Sequence, residues 1–107
     1  MEPKYFESHI TIEPVFGERY DKFSEACKKY KFKAAELLLQ KNREDTPERS
    51  SKDSFCTGHS KEYNYLYDRM IKLHDDLVGL GFAVWRYKIE SILLDEKFAR
   101  TKGGENA

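Results

Sequence analysis

From Tyr5 to Glu13 the chain alternates, with Phe6, Ser8, Ile10 and Ile12 on one side and Tyr5, Glu7, His9, Thr11 and Glu13 on the other. A period of two sends successive side chains to opposite faces, so this segment predicts a half-buried strand. Pro14 ends it and Gly17 opens a turn. From Glu18 to Tyr30 the period changes: Tyr20, Phe23, Cys27 and Tyr30 recur at three and four residues, one face of an amphipathic helix. Lys28 and Lys29 in its last turn suit the negative end of the helix dipole. Phe32 to Gln40 is rich in helix formers, yet it is short and follows Lys31 directly. It is read as a strand, with a helix as the alternative.

Lys41 to Asp53 contains no apolar residue and carries Pro47, which predicts a long exposed loop. Ser54 to His59 is a short strand ending in a glycine turn at Gly58, and Ser60 is a candidate N-cap for the helix after it. In that helix Tyr63, Leu66, Met70, Leu73, Leu77 and Leu80 recur at three and four, and Gly79 and Gly81 suit its C-terminal end. Ala83 to Leu93 alternates again: Ala83, Trp85, Tyr87, Ile89, Ser91 and Leu93 against Val84, Arg86, Lys88, Glu90 and Ile92. The tail at 99–107 is polar and Gly-containing and is expected to be disordered.

The order strand, helix, strand, strand, helix, strand is the split βαβ pattern of an α+β, ferredoxin-like (βαββαβ) domain. Residues 1–98 are expected to form one such domain. Its four-stranded antiparallel sheet, in the order 4-1-3-2, would carry both helices on one face. The alternative, with 32–40 helical, is a three-stranded α+β fold.

Composition changes this picture little. At 107 residues the chain has the length of one domain. Charged residues make up 36%, above the usual ~25%, and mark a small, highly solvated body rather than a disordered one, because aromatic and aliphatic residues recur through most of the chain. The 19 basic and 19 acidic residues cancel, which removes the simplest argument for a nucleic-acid or membrane-surface protein. No apolar run approaches the ~18–20 residues of a membrane span, and Met1 to Glu7 lacks the layout of a signal peptide. Cys27 and Cys56 sit in separate segments and are read as buried thiols of a cytoplasmic protein.

The candidate chemistry follows from the expected sheet. Its open face would carry Glu7, His9 and Thr11 from the first strand and Arg86, Lys88 and Glu90 from the fourth. Opposed residues stand roughly 4.5–5.5 Å apart. A middle-to-middle register brings His9 near Lys88, Glu7 near Glu90 and Thr11 near Arg86. On the third strand His59 falls near Glu7 and Thr57 near His9, unless Phe55 faces the core and turns both to the helix side, or a bulge at Gly58 resets the parity.

Such a surface suits a phosphate-containing ligand, a nucleotide or RNA. Histidine exchanges protons near neutral pH. Arginine binds phosphate as a fork and lysine as a point charge. The expected roles are acid–base chemistry for His9 and His59, with Thr11, Thr57, Arg86, Lys88, Glu7 and Glu90 as ligand-binding residues and the 41–53 loop as a lid. The bland counterpart is a solvated face of mixed-sign cross-strand pairs.

His9-Ile10-Thr11 resembles the H-x-T/S motif of the two-histidine phosphoesterases, which repeat it on paired strands. His59-Ser60-Lys61 departs from that motif, with Ser one residue on rather than two. Those enzymes have two lobes, and this chain has the length of one. The resemblance implies phosphoester chemistry centred on His9, with the second motif supplied by a homodimer.

Other classes carry less. The RNA-binding use of this fold stacks bases on open-face aromatics, and Tyr5 and Phe55 are the ones available. Lys28, Lys29, Lys31 and Lys33 make a local basic run that reads as a solvated helix end. Metal binding takes a smaller share: His9, His59, Cys56 and Glu7 could meet, but no C-x-x-C, H-x-x-x-H or H-E-x-x-H spacing is present, and neither a metal nor a cofactor is expected. Cys56 lies opposite in parity to His59 and is discounted as a nucleophile. His74, Asp75 and Asp76 read as helix surface. Gly79-Leu80-Gly81 follows a helix instead of preceding one, so it is no phosphate loop. The competing hypothesis is a non-catalytic module or homodimer that pairs through the open sheet, with Val84 and Ile92 lending that face apolar ends.

Overall fold

Strand β1 (Tyr5–Ile12) runs through the middle of the sheet, and its inner side chains Ser8, Ile10 and Ile12 are fully buried. The structure, a computed structural model, describes residues 2–35 and 53–93. After β1 come helix α1 (Gly17–Lys29), the short strand β2 (Lys33–Ala34), β3 (Ser54–Ser60), helix α2 (Tyr63–Gly79) and β4 (Val84–Ile92). All described pairings are antiparallel and the sheet order is β2-β3-β1-β4. The protein is thus an α+β domain with a four-stranded antiparallel sheet and two helices. No helix among the described residues is long and apolar enough to cross a membrane.

One core joins the helices to one face of the sheet. Phe23, Ala26 and Cys27 of α1 and Leu66, Met70, Leu73 and Leu77 of α2 bury against Ile10, Ile12, Ala34 and Cys56. The helical stripe stops at Leu77, since Leu80 is exposed at the C-terminal cap of α2. Both helices end alike. The amide of Phe32 donates to the carbonyl of Cys27, and that of Phe82 to the carbonyl of Leu77, each with a buried phenylalanine folded back on the core. This close needs a left-handed residue just before the aromatic. Gly81 supplies it for α2 at φ 93°, whereas α1 uses Lys31 at φ 63°.

Arg69 lies on the buried side of α2, among the leucines. Its Nε donates to the Tyr30 carbonyl, one terminal nitrogen to Lys31 and the other to His59, each at 2.9 Å. The guanidinium therefore ties the carbonyl end of α1 to the end of β3, between the rings of Phe32 and Tyr65. A guanidinium is the side chain whose planar donors reach three carbonyls at once.

Several expectations are corrected. Ser60 does not cap α2: it ends β3, and its hydroxyl accepts from the amide of Glu62, which occupies the cap position without a side-chain bond. Val84 does not join the open face. Thr11 pairs with Arg86 but Ile12 pairs with Val84, so Trp85 is an extra residue that resets parity and turns Val84 onto the core. Of 32–40, the described strand is Lys33–Ala34, and residues 36–40 lie outside the described residues. So do 41–52 of the expected loop and lid, and the whole 99–107 tail.

Candidate functional site

The β1–β3 register is unbroken from Phe6 opposite Ser60 to Ile12 opposite Ser54. No bulge interrupts it at Gly58. That glycine serves packing instead: a Cβ there would stand 2.8 Å from the ring of Phe32, which lies against the strand. Ser54, Cys56 and Gly58 are buried on the helix side, so Phe55, Thr57 and His59 face outward. Cys56 is in the core beside Cys27. Its thiol hydrogen-bonds with that of Cys27 and, with burial, holds the Cys27 thiol far up in pKa.

Three strands thus present their polar residues in cross-strand rows. His59, Glu7 and Glu90 form one row; Thr57, His9 and Lys88 form the next; Phe55, Thr11 and Arg86 form the third. Each predicted site residue lies on this face. Within it the side chains sort into two ends.

The acidic end centres on Glu7, which is half-buried. Its Oε2 lies 3.0 Å from Nε2 of His59, and its Oε1 lies 3.5 Å from Nε2 of His9. An ionised carboxylate accepts only, so each ring turns its Nε2 proton toward Glu7. The other nitrogen of His9, Nδ1, is 3.2 Å from the hydroxyl of Thr57, which fixes the ring plane. Tyr5 meets the edge of the His59 ring. One ligand-type atom each from Glu7, His9 and Glu90 lie within 4.8 Å of one another.

The cationic end is a shallow depression of about 220 Å³ lined by His9, Thr11, Phe55, Arg86 and Lys88. Lys88 donates to Oε2 of Glu90 at 2.8 Å, and this contact holds the Glu90 carboxyl below its ordinary pKa. Arg86 is exposed and makes no close ion pair among the described residues, although its charge adds, after those of Lys88 and His9, to the lowering of the Glu90 carboxyl. Glu7, Glu90 and His59 do not line the depression. The pattern of alternation located the six residues of β1 and β4 and left the face of Thr57 and His59 open, and it gave no sign of this division, which depends on where the long side chains turn.

Sequence reasoning missed Arg69, which positions the His59 end of β3 through that residue's carbonyl. The available signal was a charged residue three positions after Leu66 on the apolar stripe. It also took Asp76 for plain helix surface. The Asp76 carboxylate accepts from the Tyr30 hydroxyl at 2.8 Å and from Lys29 at 3.3 Å, joining the two helices.

No family model, no curated protein and no solved structure matches the chain.

Proposed function

We propose that the protein binds a phosphate-containing ligand, a nucleotide or RNA, at the cationic end of its open sheet. The observation that carries the reading is Arg86: an exposed guanidinium with no ion pair within 4.0 Å among the described residues, at the rim of a depression it shares with Lys88, His9 and Thr11. Arg86 takes the phosphate as a two-donor fork, Lys88 adds charge and Thr11 a hydroxyl. Phe55 offers an apolar surface beside them for a base or sugar. If the ligand is hydrolysed, His9 is the acid or base, with His59 its partner through Glu7.

Support for a ferredoxin-like fold comes from the run of strand, helix, strand, strand, helix, strand and from the sheet order, which reads β4-β1-β3-β2 from the other edge. A cytoplasmic setting is in keeping with two cysteines that are buried free thiols.

Calorimetric titration with inorganic phosphate and with ADP tests the reading. The wild-type chain should bind ADP, and Arg86→Ala should weaken that binding by at least about tenfold, the loss of one charge-assisted hydrogen bond. Equal affinity in the variant rules out this site.

A second reading is favoured by the outer side of β4. This nine-residue strand pairs with β1 alone among the described strands, and Trp85 and Tyr87 beside it are each about half exposed. An edge of that length with no described strand on it suits strand addition by a second copy of the chain. Light scattering over a concentration series tests it, since a constant monomer mass excludes self-pairing.

A further inference from the structure

The acidic end of the open face does not fit the phosphate reading. Two carboxylates are poor company for an anion. Glu7 and Glu90 stand directly opposite on β1 and β4, an arrangement that like charges disfavour.

The geometry points to a divalent cation of the zinc class, a metal with affinity for both imidazole and carboxylate, held by Glu7, His9 and Glu90. Their ligand atoms already lie within 4.8 Å of one another. Around a tetrahedral ion with bonds of about 2.0–2.1 Å the ligand atoms stand roughly 3.3 Å apart, so modest side-chain rotations close the site. The absence of a metal-spacing motif does not weigh against this. Such motifs describe ligands on one helix or loop, and here the ligands come from two strands of one sheet.

The surroundings are those of a ligand set. His9 turns Nε2 toward the cluster because its Nδ1 is engaged by the Thr57 hydroxyl. A hydroxyl both donates and accepts, so it serves the ring whether Nε2 carries a proton or a metal. His59 holds the second oxygen of Glu7, as outer partners of ligating carboxylates do. Lys88 takes one oxygen of Glu90 and competes with the ion for it. Three protein ligands leave a fourth position for water, the pattern of a reactive rather than a structural site.

This inference stands apart from the phosphate reading, because the ion and the anion use different residues except His9. With the ion bound His9 is a ligand, and the acid–base role given to it belongs to the ion-free protein.

The test is titration of the full chain with Zn²⁺ in a phosphate-free buffer at neutral pH. One ion should bind per chain. Glu7→Gln and His9→Ala should each weaken binding by at least about tenfold. His74→Ala should leave it unchanged, since that ring sits on α2 against Asp75. Lys88→Met should tighten it by removing the competitor. The same substitution should weaken phosphate binding measured without metal, so the two proposals fail separately. Absence of a one-to-one complex, or a complex insensitive to both Glu7→Gln and His9→Ala, overturns the inference. Circular dichroism of each variant separates a lost site from a lost fold.

Discussion

Nε2 of His59 stands 3.0 Å from Oε2 of Glu7, between neighbouring strands and 52 positions apart in the chain. The carboxylate keeps both histidines in one orientation and places a negative charge beside the cationic depression. Glu7→Gln preserves the shape and removes the charge. Through water a unit charge more than about 4 Å away contributes less than about 1 kcal/mol, so phosphate affinity should rise, by no more than about fivefold. Titration of the variant with ADP checks the sign, and weakened binding would mean that Glu7 supports the ligand instead of repelling it.

Arg69 joins α1, α2 and β3 through three carbonyls. Arg69→Met keeps much of the apolar volume but leaves those acceptors without their donor. The loss should be about 2–4 kcal/mol, read as a lower urea midpoint. Arg69→Lys should recover little of it, because a single ammonium cannot span three separated acceptors.

Gly58 and Phe32 are matched by contact. Gly58→Ala drives a methyl into the ring of Phe32 and should cost about 1–3 kcal/mol. In a Phe32→Leu background the added cost of Gly58→Ala should be smaller, a coupling that a double-mutant cycle in denaturant measures. Equal costs in both backgrounds would show that the ring is not the obstacle.

Asp76 links the helices, and the bond from Tyr30, then that from Lys29, holds its carboxyl below the ordinary carboxylate pKa. A group whose pKa is lower folded than unfolded stabilises above the unfolded value, about 3.9, and loses that contribution as the pH falls through the folded value. Tyr30 and Lys29 are raised by the same contacts, with Asp76 the first cause for each. Their contribution is present below the unfolded values and lost as the pH rises through the folded ones. Asp76→Asn should therefore lower the urea midpoint near pH 7 and flatten both the acid and the alkaline limbs of its pH profile. A residual acid limb should persist, because Lys88 lowers Glu90 independently.

The two periods in the chain carried most of the architecture. Alternation at Tyr5–Ile12 and a stripe of Leu66, Met70, Leu73 and Leu77 mark buried faces because burial is a local property of spacing. What spacing could not convey depends on contacts across the chain. Val84 follows the open-face parity in sequence and leaves it in the structure, because the extra residue Trp85 is defined only by the partner strand. Arg69 went unnoticed in the sequence and is buried because three distant carbonyls meet it. Six open-face residues, on β1 and β4, were legible from parity, whereas Thr57 and His59 were not, because the outward turn of Phe55 is set by the pairing of β3 with β1. Their division into an acidic and a cationic end arises from side-chain contacts that parity does not encode.

The central claim is that a phosphate ligand occupies the depression rimmed by Arg86. The most direct test is the amide and side-chain NMR spectrum of labelled protein titrated with ADP. Shifts should concentrate at Thr11, Phe55, Arg86 and Lys88 and at the His9 ring, with α1 and α2 unmoved. Shifts confined to the helices, or none at millimolar ADP, would contradict it.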